Sequence, residues 1–180
     1  MKKIILSTVC AGLLSVSAMA DTFDGSRQGF MLGLGIGVTS VSTEIDFNGG
    51  IHADERASGL ATSFKIGYGF NEQFSLYYTN QVDWYTFDGS STSVGLTGIG
   101  ANFYIDSNAL FYGTAMLGFG VISEINNNDA STGSAFEVGV GYDVAPHMSV
   151  EASYLHVNID ENYADINTDS LRVKFLYTWY

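Results

Sequence analysis

The chain has 180 residues, the size of one domain. Charged residues make up 14% and hydrophobic ones 46%, with 21 Gly, 11 Tyr, 12 Phe, one Pro and one Cys, and the formal net charge is −12. This composition argues against a coiled coil, a helical bundle, a disordered acidic tail and a disulfide scaffold, and the acidity argues against nucleic acid as a partner. A mean hydropathy of +0.13 in so acidic a chain implies that apolar and acidic residues occupy different surfaces.

In chain order, residues 1–20 open with Lys2 and Lys3, continue through an apolar run from Ile4 to Val16, and end in Ala18-Met19-Ala20, the small-x-small pattern of a signal-peptidase site. The apolar run is shorter than the roughly 20 residues of a spanning helix. Cleavage after Ala20 removes both lysines and no acid, taking the formal charge from −12 to −14, and removes Cys10 as well. Val9 stands where a lipobox needs a small residue, which argues against lipidation of Cys10. The expected organisation is a cleaved signal peptide at 1–20 and one domain at 21–180.

Beyond the leader the apolar period is two, not 3.6, and glycines interrupt the charge-free stretches, each weakening a helix by about 1 kcal/mol relative to Ala. Phe30, Leu32, Leu34, Ile36 and Val38 share one face of the first strand, and Met31, Gly33, Gly35, Gly37 and Thr39 the other. A second strand sets Leu60, Thr62, Phe64, Ile66 and Tyr68 against Gly59, Ala61, Ser63, Lys65 and Gly67. Weaker patterns follow from Phe74 to Tyr85 and from Val94 to Ile105, where the parity slips and predicts a bulge near Gly98. Further strands run from Phe111 to Val121, from Ala135 to Val144, from Met148 to Val157 and from Leu171 to Trp179, making eight.

The connections alternate in length. Tight turns are expected at Phe70–Gln73, Asp106–Asn108 and Ala145–His147, and long polar loops near Asn48–Arg56, Asp88–Thr92, Glu124–Gly133 and Asp160–Asp169. This is the plan of an all-β, eight-stranded, antiparallel up-and-down transmembrane barrel with short periplasmic turns and both termini periplasmic. A soluble ligand-binding barrel has the same alternation turned inside out. The membrane reading is preferred because Lys65, Glu137, Glu151, Arg172 and Lys174 sit on the glycine-rich face, as suits a lumen filled by side chains. The greasy face also carries aromatics near strand ends, including Tyr68, Phe74, Trp84, Phe111 and Tyr142, as an interfacial girdle requires.

The leader, the eight strands and the closing Val173-x-Phe175-x-Tyr177-x-Trp179 resemble the outer-membrane β-barrel proteins of the OmpA/OmpX type over the whole 21–180 region. The resemblance implies a porin-like barrel in a Gram-negative outer membrane. It also implies that Val173, Phe175, Tyr177 and Trp179 form the signal read by the insertion machinery, with periplasmic chaperones on the way. The family usually ends in Phe, whereas here Trp179 is in register and Tyr180 follows it.

Each lumen charge needs a partner, so Glu137 is expected to pair with Arg172 or Lys174, and Glu151 with Lys174 or Lys65. The Gly-x-Gly pairs at 33/35, 98/100, 118/120 and 139/141 read as small lumen positions, since no strand-to-helix turn or Lys-Ser/Thr follows them. The expected external loops hold eleven acids, from Glu44 to Asp169, against Arg56. This surface favours outer-membrane lipid and lipopolysaccharide as partners, bridged by Mg²⁺ or Ca²⁺. Within it Asp165-x-Asn167-x-Asp169 has the start of a calcium-loop spacing, but Ser170 replaces the turn glycine and Leu176 the bidentate Glu. The lipid A deacylases offer an enzymatic alternative, with a His-x-Ser pair on the lipid face; here His156 is followed by Asn158, which is no nucleophile. His52 and His147 are expected at opposite ends, so the histidines form no metal cluster. The sequence thus points to a monomeric, non-enzymatic structural or surface-interaction barrel without cofactor, with a small porin or transporter as the chief rival.

Overall fold

A computed structural model describes residues 26–47, 51–87, 90–124, 130–161 and 164–180; the expected leader lies outside the described residues. Eight strands follow one another: β1 (Gly29–Phe47), β2 (Ile51–Asn71), β3 (Phe74–Phe87), β4 (Ser90–Tyr104), β5 (Phe111–Glu124), β6 (Ala130–Ala145), β7 (Met148–Glu161) and β8 (Ala164–Trp179). Each pairs antiparallel with the next, and β8 pairs back onto β1, so the sheet closes and leaves no edge. The bilayer accounts for that closure, because no water is available there to satisfy an open strand edge.

The alternating glycines and bulky residues decide which face points out. Ile36, Val38, Val140 and Leu171 are more than half exposed on the outer wall, whereas Lys65, Glu137, Glu151 and Lys174 on the opposite face are at most 2% exposed. Apolar side chains facing outward around a charged interior are what a lipid solvent selects and water does not. Two glycines on the inner face make room for rings: a Cβ at Gly100 would lie 2.6 Å from the Tyr77 ring, and one at Gly141 would collide with the ring of Tyr112.

Two expectations need correction. The bulge near Gly98 is absent: β4 keeps unbroken register with both neighbours through Thr79↔Gly98 and Gly98↔Gly118. Val94 and Leu96 break the outward pattern because they are fully buried inside the barrel. The register shifts lie instead beside tight turns, at Gly69/Asn71 and Asp143/Ala145.

The long polar loops are largely strand. Ile51–Arg56 belongs to β2, Ser90–Thr92 to β4, Ala130–Gly133 to β6 and Ala164–Asp169 to β8. About 9–11 residues suffice to cross a bilayer at barrel tilt, so β1 with 19 residues and β2 with 21 project well beyond it. Polar cross-strand pairs such as Asn158 Nδ2 to Asn167 Oδ1, 2.8 Å, continue the ladder where no apolar alternation signals it. Asp88 and Asp129, which the sequence assigns to these loops, lie outside the described residues.

The calcium-type spacing, which already lacks its turn glycine and bidentate Glu, falls on a strand as well. Asp165, Asn167 and Asp169 lie on β8 rather than in a loop. Alternate residues of a strand advance together along one face, so Asp165 and Asp169 stand about 13 Å apart along the chain and cannot close around one ion.

The short turns hold themselves with local side-chain bonds. Asn71 Oδ1 accepts from the backbone N–H of Gln73 (2.9 Å) and Phe74 (2.8 Å), and Asp106 Oδ1 accepts from that of Asn108 (2.9 Å). His147 takes φ +66° in the third turn.

Candidate functional site: the filled lumen

The lumen is layered along its axis. Toward the long-hairpin end Val41, Tyr85, Val94, Leu96, Leu155, Val157 and Ile159 form an apolar cluster, completed by partly buried Ala57, Ile122 and Ile166. Below it lies a belt of charge, and below that, at the short-turn end, a chamber of about 250 Å³.

The charged belt is one continuous chain. Lys65 Nζ lies 2.9 Å from Glu151 Oε2, and Glu151 Oε1 is 3.0 Å from Lys174 Nζ. Lys174 Nζ reaches Glu137 Oε1 at 2.7 Å, and Glu137 Oε2 meets Arg172 Nη1 at 2.8 Å. Arg172 then spans the lumen to Asp83, with Nη2 2.8 Å and Nε 2.9 Å from Oδ2. Three cations alternate with three carboxylates, so the belt is neutral. Each carboxylate within it touches a cation, which is the condition for holding buried charge in a low dielectric.

Neutral groups fasten the belt to the wall. Lys174 donates to Gln81 Oε1 at 2.9 Å, and Gln81 Nε2 donates to Thr79 Oγ1 at 2.8 Å. The Tyr112 hydroxyl donates to Glu151 Oε2 at 3.3 Å, and the Tyr77 hydroxyl to Asn102 Oδ1 at 3.0 Å. Lys65 Nζ stands 4.9 Å from the centre of the Tyr77 ring.

All five lumen charges singled out in the sequence thus sit in one network. Glu137 touches both Arg172 and Lys174, and Glu151 both Lys174 and Lys65. Asp83 and Gln81 were missed. Their parity on β3 puts them on the face of Tyr77 and Thr79, and a lone Asp between Val82 and Trp84 on that inward face was the available signal.

The outer-face candidates distribute differently. Tyr68, Phe74, Phe111 and Tyr142 gather at the short-turn end, where Phe111 and Tyr142 have ring centres 4.6 Å apart. Trp84 stands alone of the five toward the other end of β3, and its Nε1 donates to Thr62 Oγ1 at 3.0 Å. Val173, Phe175, Tyr177 and Trp179 face out along β8, opposite Val38, Ile36, Leu34 and Leu32 of β1.

His156 faces out as well, its Nδ1 2.8 Å from Asp169 Oδ1 and its ring centre 5.3 Å from that of Phe136. Asp169 Oδ1 also accepts the Tyr154 hydroxyl. The position two residues on is Asn158, an amide occupied with Asn167, so the His-x-Ser pair of the enzymatic alternative is not formed here. Among the described residues no group of three or more His, Cys, Asp or Glu could hold a metal ion.

The family model described as outer membrane protein beta-barrel domain matches residues 6–178. No curated protein matches the chain. Among solved structures it is similar to Ail, the attachment invasion locus protein of Yersinia pestis, with TM-score 0.53 and 16% identity over 83% of this chain and 99% of that one. Neisserial surface protein A gives TM-score 0.52 and 16% identity over 80% and 96%. OprG of Pseudomonas aeruginosa gives TM-score 0.51 and 14% identity over 87% and 99%. At these identities the likeness is one of fold; the family match carries the assignment. This closed, lipid-facing, eight-stranded chain belongs to the outer membrane protein beta-barrel domain family and resides in the Gram-negative outer membrane.

Proposed function

We propose that the protein is a non-enzymatic barrel with a structural or surface-interaction role and a lumen closed to solutes. The observation that carries this reading is the neutral six-charge chain, at most 2% exposed, lying beneath an apolar layer whose Val41, Val94, Leu96, Leu155, Val157 and Ile159 are equally buried. A solute would have to separate paired charges and then cross packed hydrocarbon. The short turns and both termini are periplasmic, and the long hairpins project outward.

Liposome swelling tests closure against the rival small porin or transporter. Vesicles carrying the folded barrel are expected to swell in isotonic arabinose or glycine no faster than empty ones; fast swelling favours the transporter.

The projecting rim is the surface for partners. The register sets Asp165 of β8 opposite Asp160 of β7, and like charges in such positions repel. Divalent cations bridging these acids to lipopolysaccharide phosphates would relieve that repulsion. Mg²⁺ should therefore raise the urea midpoint more in lipopolysaccharide-containing vesicles than in phosphatidylcholine; an equal rise in both rejects the bridge. Ail has been solved with the heparin analogue sucrose octasulfate. The loops expected from the sequence hold Arg56 as their one Lys or Arg among eleven acids, which argues against polyanion binding.

A further inference from the structure

Residues 26–28 do not continue β1 downward. At Gly29 the backbone takes φ +110°, a conformation L side chains rarely adopt, and the chain turns across the short-turn mouth. Gly69 leaves room for that crossing, because a Cβ there would collide with the Arg27 carbonyl oxygen. Glu72 holds the crossing backbone: its Oε2 accepts the Arg27 N–H at 3.0 Å, and its Oε1 accepts Ser26 Oγ at 3.1 Å and Gln28 Nε2 at 3.2 Å.

The Arg27 side chain lies beneath the lumen and uses all of its donors. Nε and Nη2 donate to Asp143 Oδ2 at 3.2 and 2.9 Å. Nη2 also donates to Ala109 O at 2.8 Å, and Nη1 to Ser107 O at 3.2 Å and Glu72 O at 3.4 Å. These acceptors belong to the β2–β3 turn, the β4–β5 turn and the lower end of β6, so one guanidinium ties two of the short turns to the strand end that leads into the third. Its carbon centre lies 3.8 Å from the middle of the Tyr104 ring. Five N–H groups in a fixed fork make this possible, and a lysine with three donors cannot repeat it.

The chamber lies directly above, walled by Met31, Lys65, Tyr104 and Tyr112, and beside Arg27 it opens at its rim past Leu110 and Val144, which are about half exposed. Lys65 is also the first member of the charged belt, so the belt roofs the chamber and Arg27 floors it. We propose that residues 26–28 are a strap that narrows the short-turn mouth of the lumen, and that release of Arg27 widens the way for small solutes into the chamber. Closure of the lumen above is a separate matter, decided by the swelling and conductance measurements.

Ser149 lines the chamber and is 7% exposed, which makes it a reporter position. The full chain with Cys10→Ser and Ser149→Cys then carries one thiol. Its labelling rate by a small charged thiosulfonate is measured on the folded, detergent-solubilised barrel, with foldedness read from gel migration without boiling. Adding Arg27→Ala, or Gly29→Val, which strains the turn and leaves Arg27 in place, is expected to speed labelling about tenfold or more, as local opening does. Arg27→Lys, the mildest change and a check should the others fold poorly, is expected to fall between. Equal rates in the parent and in every folded variant would overturn the proposal.

Discussion

Glu137 is in contact with two cations at once, Lys174 at 2.7 Å and Arg172 at 2.8 Å. Its replacement by Ala leaves both partly uncompensated where water cannot reach, and the expected loss is about 3–5 kcal/mol of unfolding free energy. Urea titration in lipid vesicles, followed by Trp fluorescence, measures it. Glu137→Gln retains an acceptor and should lose less. At the short-turn end, burial raises the Tyr180 hydroxyl above its ordinary pKa, and the nearby Asp143 carboxylate adds to the rise. The unfolded chain therefore gives up this proton first, near pH 10, so the stability that Tyr180 contributes is complete below that pH and declines as pH rises further. Tyr180→Phe should flatten the fall in urea midpoint above pH 10; an unchanged slope would remove Tyr180 from the explanation. Burial alone would lower the Arg27 pKa, but Tyr104 and Asp143 beside it outweigh that effect and raise it, so the strap stays charged over the same range.

At the level of strands, the glycines on the inner wall are packing positions. Gly100→Ala drives a Cβ to 2.6 Å from the Tyr77 ring and 2.7 Å from Met116 Cγ, an overpacking expected to cost about 1–3 kcal/mol by the same titration. At Gly113, where an added Cβ meets nothing within 4 Å, Ala should be nearly neutral. The spanning parts of the strands were legible in the sequence because lipid enforces a period of two: Phe30 to Val38 and Leu171 to Trp179 read directly as outward faces. Legibility failed where that constraint ends. Val94 and Leu96 imitate outward residues but fill the apolar layer of the lumen, and the polar pairs of β7 and β8 beyond the bilayer carry no hydrophobic alternation. The lumen charges were readable from parity, Asp83 less so because β3 alternates weakly. Arg27 gave no signal, since its partners come from two turns and a strand end up to 116 residues away.

For the whole molecule, closure of the sheet and filling of the lumen act together. With every strand paired on both sides the barrel should resist detergent, so unboiled and boiled samples are expected to migrate differently on SDS gels. A detergent-free soluble monomer would contradict the lipid-facing outer wall. The interior gives the molecule its character: three layers stand between the two mouths, and two of them, the charged belt and the apolar cluster, leave little room for water. Single-channel recording in planar bilayers tests that closure most directly. The pure folded barrel is predicted to insert without producing large, stable conductance steps, and reproducible steps of that kind from the unmodified protein would contradict a closed lumen.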